Sequence, residues 1–317
     1  MTSSTNSAQF SNWVLPPLDL LGSSASFDNS DAGRFVSLRT LLSAEEFTKT
    51  TVPLGITPDG EIIMHDFSGS PGLLIAGSTG SGKSLFLDTT LVSLLYHNSP
   101  QDIRFILIDA KRMQFANFQG IPHLLAPIIY DVAQTLAVLR WLDAEIHRRF
   151  EILAKADCYT IDEYTMRPDL PPMPRIVLFL DELADLMMQA GEEAEKRIQE
   201  ICWYARGAGV SLVMTTARPD THVLRGMILA NIHGRLAFAT ASAEDSKFII
   251  HKAGAEKLRG KGDALYLDSE EFNIQHVQAP YIEQADIIKV TNFIKEQAKP
   301  GYDSSLHIRL MVEDIHK

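Results

Sequence analysis

The sequence predicts an α/β fold in which a mostly parallel sheet has helices on both faces. Short segments such as IRFILID and RIVLFLDE are continuously apolar, as strands covered on both faces are. Between them lie longer segments with apolar residues at spacings of three and four, which are typical of helices. This alternation indicates βαβ units joined by right-handed crossovers.

Each predicted element follows from its own pattern. Five apolar runs are the predicted strands, at residues 72–76, 103–108, 176–180, 210–215 and 236–239. One helix is predicted to begin after Asp131, whose carboxylate can cap it, and a second to end at Gly207 or Gly209. We also expect a late hairpin over residues 268–278 and a last helix over residues 285–297.

The composition is that of a globular protein. The chain has 317 residues, of which 45% are hydrophobic and 22% charged, so it can bury a sizeable core. Its net charge of −11 argues against coating nucleic acid through overall charge, but allows a local basic patch or pore.

Cys158 and Cys202 form no C-x-x-C pair, so we expect no disulfide framework and a reducing cytoplasm. No apolar run approaches the ~20 residues of a membrane span, so no membrane insertion is expected.

Changes in composition divide the chain into three expected regions. Residues 1–51 are predicted to be a flexible N-terminal arm with one docking segment, the apolar stretch at residues 13–21. Residues 52–302 contain the alternating strands and helices and form the predicted main domain. Residues 303–317 are the predicted C-terminal tail.

The segment GSTGSGKS fits the phosphate-loop pattern G-x-x-x-x-G-K-[ST]. Glycines let backbone N–H groups approach phosphate oxygens closely, and the start of the following helix adds its positive dipole end. A plain Gly/Ser turn is the alternative, but the strand before the segment and the helix after it disfavour that reading. The predicted nucleotide-binding residues are Gly77, Ser78, Thr79, Gly80, Ser81, Gly82, Lys83, Ser84 and Leu85.

Two acids after a later strand complete the predicted site. In the phosphate-loop pattern Lys83 reaches the β- and γ-phosphates and Ser84 ligates Mg²⁺, so ATP and Mg²⁺ are the expected cofactors. Asp181 and Glu182 follow an apolar strand, as in a Walker B motif, although such acids can also be helix caps. We expect Asp181 to hold Mg²⁺ and Glu182 to polarise the attacking water. The presence of Glu182 argues against a nucleotide-gated scaffold without turnover.

Other polar side chains end predicted strands or helices. In a parallel sheet the carboxyl ends of the strands share one edge, so Asp109 and Lys111 face the nucleotide, a neighbouring subunit or solvent. Thr215 and Thr216 end the fourth strand, and one of them is a candidate sensor of the γ-phosphate. Arg206 ends a helix and is either a partner of the helix dipole or an arginine finger for the next subunit.

Taken together, these segments resemble the FtsK/SpoIIIE family of hexameric DNA translocases over residues 36–302. The matching stretches are LLIAGSTGSGKS, DIRFILIDAK, GIPHLL, LRWLDAEIHRRFEIL, IVLFLDELADLMM, ARGAGVSLVMTTARPD, LANIHGRLAF and KAGAEKLRGKGDALYL. The resemblance implies a RecA-like P-loop motor domain over residues 52–302, a homo-oligomeric ring of six subunits with ATP at the interfaces, and double-stranded DNA in the pore. It also implies that Arg206 is the finger arginine and that Arg235 lies near the interface.

The chain departs from the family pattern in three places. PPLDLL and VSLRTLL are separated only by a short Ser/Asp-rich link, so the supporting ring domain is expected to be absent. The family's A-T-Q-R-P reads TTARP, with Ala217 in place of glutamine, which weakens the case for phosphate sensing there. The chain ends at Lys317 with no expected winged-helix domain, so a loading or anchoring protein is a candidate partner.

The implied function is ATP-driven movement of double-stranded DNA, in segregation, transfer or packaging. Four basic residues are candidate contacts to DNA phosphates, with solvated surface loops as the alternative: Arg112, Arg225, Arg259 and Lys261. The alternative function is that of an FtsK-like ATPase in a protein-secretion machine. The lack of fused tandem motor domains argues against that alternative.

Overall fold

The computed structural model describes residues 10, 12–22, 35–220, 223, 226–268 and 273–315. The strands are β1 (Val36–Ser37), β2 (Thr51–Ile56), β3 (Ile62–Asp66), β4 (Gly72–Ala76), β5 (Ile103–Asp109), β6 (Arg175–Asp181), β7 (Val210–Thr216), β8 (Gly234–Phe238), β9 (Asp263–Asp268), β10 (Asn273–Gln278) and β11 (Pro280–Tyr281). The helices are α1 (Leu38–Ala44), α2 (Lys83–His97), α3 (Val132–Lys155), α4 (Ile161–Thr165), α5 (Leu183–Ala208), α6 (Gly226–Asn231), α7 (Ala243–Ile250), α8 (Gln284–Gln297) and α9 (Ser304–Ile315).

One mixed sheet of nine strands, counted over the described residues, organises the fold in the order β3-β2-β10-β9-β8-β4-β7-β6-β5. Its centre, β8-β4-β7-β6-β5, is parallel throughout, which confirms the predicted parallel sheet. Antiparallel pairs add β9, β10, β2 and β3, and β9 with β10 forms a late hairpin that begins five residues before the predicted range of 268–278. Because β7 lies between β4 and β6, the strands before the phosphate loop and before the two acids are not neighbours.

Alternate residues of the central strands face two separate cores. Along β4, Leu73 and Ile75 pack with α1, α2 and α8, whereas Leu74 packs with α3, α5, α6 and α9. Along β6, Phe179 belongs to the first core and Leu178 to the second. Burying a side chain of this size contributes about 1.5–3 kcal/mol. Helices on both faces, as predicted, are the reason that these strands are continuously apolar.

The two long helices of the second core have clear ends. Asp131 Oδ1 accepts a hydrogen bond from Gln134 N at 2.8 Å, which confirms the predicted cap of α3. α5 ends at Gly209, whose φ of 69° lies in the left-handed region that glycine adopts freely. α5 begins directly after Glu182 and is kinked at Ala190, where φ is −134° and ψ is 24°.

Both ends of the chain contribute to the packed domain. Gln297 on α8 accepts from Val14 N and donates to Val14 O, each at 2.9 Å, so part of the predicted docking segment lies against α8. The prediction that residues 285–297 form the last helix is wrong, because α9 follows and buries Leu306 and Leu310 in the second core. The division of the chain into three regions stays a prediction.

No helix in the described ranges is both long enough and apolar enough to cross a bilayer. Cys158 and Cys202 are free thiols. His123 is fully buried with Nε2 3.1 Å from Asn98 O, and burial lowers its pKa to about 3, so it is a neutral core residue.

Candidate functional site

The phosphate loop, residues 77–84, lies between the end of β4 and the start of α2, as its motif predicts. Ser78 N donates to Ala239 O at 2.8 Å, so the chain just beyond β8 holds the start of the loop. Gly77 has a φ of +150°, and a Cβ there would lie 2.9 Å from Phe238 Cβ. Only glycine therefore lets the loop approach β8 this closely.

The loop leaves a set of backbone N–H groups free for a ligand. Among the described residues, no acceptor is present for the N–H groups of Thr79, Gly80, Gly82, Lys83, Ser84 and Leu85. Unbonded N–H groups are usual at the start of a helix, where they favour an anion. All six lie within the predicted nucleotide-binding residues.

Lys83 lies across the loop. Its Nζ donates to Gly77 O at 2.6 Å and to Ser78 O at 2.8 Å. Burial lowers the pKa of Lys83, while the negative charges of Glu182 and Asp181 act in the opposite direction. The structure thus brings the phosphate-loop cation close to both predicted Walker B acids.

Asp181 ends β6 next to Asp109, the last residue of β5. Thr215 Oγ1, on β7, donates to Asp181 Oδ1 at 2.7 Å and accepts from Glu182 N at 2.9 Å. Burial raises the pKa of Asp181, the Thr215 hydrogen bond lowers it, and the charge of Asp109 raises it. A cation bound here would stabilise the charged forms of two neighbouring carboxyl groups, those of Asp109 and Asp181. Thr215, a candidate phosphate sensor, holds the two acids in place.

Both carboxylate oxygens of Glu182 are held. Oε1 accepts from Ala217 N at 3.0 Å and lies 3.3 Å from Thr216 Oγ1. Oε2 accepts from Lys111 Nζ at 3.0 Å, so Lys111 faces the site. The backbone of Glu182 is left-handed, with φ 63° and ψ 74°. Residues other than glycine adopt this conformation rarely, and such residues cluster at functional sites.

The donor set fits Mg²⁺ bound together with phosphates. Asp109 Oδ1 is buried without a hydrogen-bond partner in the part of the chain that the structure describes. Ser84 is exposed in the first turn of α2. No cluster of three or more His, Cys, Asp or Glu side chains in the described ranges could hold a metal by itself. Mg²⁺ takes one or two carboxylates and otherwise water and phosphate oxygens.

Two predicted DNA contacts lie beside the phosphate loop. Arg259 and Lys261 are on the loop before β9, and Gly262 N of that loop donates to Ser81 O at 3.1 Å. A Cβ on Gly82 would lie 2.9 Å from Gly262 N, so the two loops are in close contact. That these residues contact DNA stays a prediction.

The other two predicted DNA contacts are elsewhere. Arg112 follows β5, and its guanidinium lies 4.3 Å from the centroid of the Tyr130 ring. Five strand spacings, about 24 Å, separate β5 from β9. Arg112 therefore does not share one continuous patch with Lys261. Arg225 lies outside the described residues.

Arg206 is far from the phosphate loop of its own chain. Ile176 N, near the start of β6, donates to Gly209 O at 2.9 Å, so the end of α5 lies about 20 Å, the length of β6, from Asp181 at the other end of that strand. Arg149 on α3 donates to Ala208 O at 2.9 Å and fixes this end of the helix. Arg206 is exposed. Because it lies far from the Walker B acids of its own chain, a finger role requires a second copy of the chain. Arg235, in contrast, is buried in β8.

Sequence analysis missed two residues beside the site, Gln114 and Asp88. Gln114 Nε2 donates to Ser84 O at 2.8 Å and to Asp88 Oδ1 at 2.9 Å. Burial raises the pKa of Asp88 to about 7, against the effect of the Gln114 hydrogen bond. Asp88 follows Ser84 by one helical turn and could have been found by that spacing. No local pattern marks Gln114, because its partners lie on another element.

The sequence is similar to that of a known protein family. Residues 38–221 match the FtsK/SpoIIIE family. The chain is 37% identical over 262 residues to the DNA translocase FtsK of Tropheryma whipplei (strain TW08/27), which covers 80% of this chain and 35% of that protein. The chain therefore spans about a third of the length of this relative.

The fold is similar to that of two solved structures. The pCW3 conjugation coupling protein TcpA, in its monomer form with ATPgS, has a TM-score of 0.70 at 26% identity, covering 79% of this chain and 71% of that one. The cytoplasmic domain of the type VII secretion ATPase EccC of Thermomonospora curvata has a TM-score of 0.71 at 24% identity, covering 83% and 34%. Fold, phosphate loop and family match lead to one conclusion: the chain belongs to the FtsK/SpoIIIE family and is a P-loop ATPase with a RecA-like fold.

Proposed function

We propose that this chain is an ATP-driven translocase of double-stranded DNA that works as a ring, a hexamer, with nucleotide bound between subunits. The identity of 37% over 262 residues to a DNA translocase supports DNA as the cargo and is the observation on which the proposal depends most. The position of Arg206 near the start of β6, about 20 Å from its own Walker B acids at the end of that strand, supports nucleotide sites shared between neighbours.

Each step of hydrolysis has a candidate residue. Lys83 and the free N–H groups of the loop bind the phosphates and stabilise the charge that develops on them. Mg²⁺ held by Ser84 and Asp181 would neutralise phosphate charge. Glu182 orients and polarises the attacking water. Arg206 of the neighbouring subunit stabilises the transition state, as arginine fingers do.

The surface around Arg206 supports a contact between subunits. Trp203 and Tyr204 precede it on α5 and are 54% and 47% exposed. Aromatic residues and arginine are enriched in the centres of protein interfaces, where they contribute much of the binding energy. We therefore place the interface at the carboxyl end of α5, against the phosphate loop of the next copy.

DNA would be held through its phosphates and without reading of sequence. The net charge of −11 makes binding depend on local cations, for which Arg112, Arg259 and Lys261 are the candidates in the described residues. Contacts to phosphates are sequence-independent and weaken as salt is raised. Segregation, transfer and packaging of DNA, with a loading or anchoring protein as partner, are all compatible with such a motor.

Displacement of a third strand from a DNA triplex tests the proposal. We expect the wild-type chain to displace a labelled triplex strand only when ATP, Mg²⁺ and a duplex track are present. Glu182→Gln should bind the same DNA and ATP but displace nothing, because it lacks the carboxylate that polarises water.

A failure to displace the triplex strand would show whether the proposed cargo or the proposed hydrolysis is wrong. If the protein has the particle mass of a ring and hydrolyses ATP at low salt but displaces no strand, DNA is not its cargo. It would favour the alternative, an ATPase of a secretion machine. The likeness to EccC shows a shared fold alone and does not decide between the two.

A further inference from the structure

Lys111 contacts the carboxylate of Glu182 from outside both Walker motifs. Its Nζ donates to Glu182 Oε2 at 3.0 Å. The side chain of Glu182 is 9% exposed and that of Lys111 is 52% exposed. Because one member of the pair is nearly buried, the contact constrains the carboxylate more than a fully exposed ion pair would.

The loop that contains Lys111 is fixed at its base. Asp109 Oδ2 accepts from Gln114 N at 2.9 Å, which closes the loop behind β5. Gln114 Nε2 donates to Ser84 O at 2.8 Å, which ties the loop to the first turn of α2. Lys111 therefore approaches Glu182 from a defined position beside the phosphate loop.

Among the described residues, the other side-chain contacts of Glu182 involve only Oε1. Ala217 N lies 3.0 Å from Oε1, and Thr216 Oγ1 lies 3.3 Å from it. These contacts alone would leave the second oxygen free to move about the first. Lys111 fixes that second oxygen, and one acceptor position on Oε2 remains for water.

We propose that Lys111 is a positioning residue for ATP hydrolysis, which fixes Oε2 of Glu182 in the orientation that polarises the attacking water. The inference rests on the proposed role of Glu182. Burial lowers the pKa of Lys111, but the hydrogen bond and charge of Glu182 and the charges of Asp185 and Asp181 together raise it above its ordinary value, so the ammonium remains charged. Lys111 acts through Glu182 and not on the nucleotide, so its loss should reduce kcat and leave KM for ATP unchanged.

The first test measures kcat and KM for Lys111→Met, which keeps the length of the side chain and removes its charge. We expect kcat to fall on the order of 10- to 100-fold, with KM within about threefold of wild type. Lys111→Arg, which restores a charged donor, should recover kcat to within about fivefold of wild type. Lys49→Met removes an ammonium that pairs with Asp102 and is the matched control, with wild-type kcat expected.

A double-mutant cycle separates positioning from a direct role. In single-turnover assays with excess enzyme, adding Lys111→Met to Glu182→Gln should cause no further loss. A further fall of the same size in the turnover of the double variant would overturn the inference. So would a raised KM with wild-type kcat in Lys111→Met, or wild-type kcat and KM in that variant. If Lys111→Met lowers the melting temperature, Lys111→Gln replaces it. Lys111→Gln keeps a neutral donor to Oε2 and should lose kcat by less.

Failure of this inference can be told from failure of the proposed function. Wild-type turnover in Glu182→Gln would overturn the proposed chemistry itself. An inactive Glu182→Gln together with a wild-type Lys111→Met would overturn only the role of Lys111.

Discussion

ATP hydrolysis should be lost when Lys83 is replaced by alanine, with turnover reduced at least about 10²- to 10³-fold. Lys83 Nζ lies within 2.6 Å and 2.8 Å of two loop carbonyls, so its position is fixed where phosphates would bind. Alanine removes the cation that stabilises the charge developing on the transferred phosphate. It also leaves Asp181 and Glu182 without the nearest phosphate-loop cation. An assay of phosphate release measures the effect.

Two controls make the Lys83 result specific. Lys49→Met removes an ammonium that pairs with Asp102 at the opposite end of β5, and it should leave turnover unchanged. An unchanged melting temperature of Lys83→Ala excludes unfolding as the cause. Wild-type turnover in folded Lys83→Ala would contradict the assignment of residues 77–84 as the phosphate loop.

Replacement of Arg206 should have the second largest effect. We expect Arg206→Ala to bind nucleotide within about threefold of wild type and to lose turnover on the order of 10³-fold, as expected for an arginine finger. The reason is its place near the end of α5, which lies at the start of β6, at the opposite end of that strand from Asp181. Arg140→Ala, which removes an exposed arginine paired with Glu193, is the matched control and should retain turnover.

Mixing two inactive variants tests whether Arg206 acts in trans. Lys83→Ala keeps its finger and Arg206→Ala keeps its phosphate loop, so a mixed ring contains interfaces with one intact copy of each. We expect turnover to reappear on mixing and to be greatest near equal amounts. If the mixture stays as inactive as its components, Arg206 does not serve a neighbouring subunit.

The centre of the fold could be predicted because each central strand is covered on both faces. Continuous apolar runs such as IVLFL therefore identify β4 to β8 without knowledge of their neighbours. β1 and β11 have two residues each, too few to form a pattern. α9 was missed because much of the stability of a short helix comes from the surface on which it packs, here α3.

The site could be predicted only in part. The phosphate loop and the Walker B acids are short motifs in which each residue type has a chemical reason. The order of strands has no such local signal, so β7 between β4 and β6 was not foreseen. Contacts such as Lys111 to Glu182, 71 residues apart, follow from that order and so require the structure.

Stimulation of ATP turnover by linear double-stranded DNA tests the central claim most directly. At low salt we predict that the wild-type chain hydrolyses ATP several-fold faster with DNA than without it. The stimulation should decline as salt is raised, since phosphate contacts release counterions, and Glu182→Gln should keep only a small residual rate in either condition. A wild-type rate that DNA does not change, with DNA bound and nucleotide binding intact, would contradict the account.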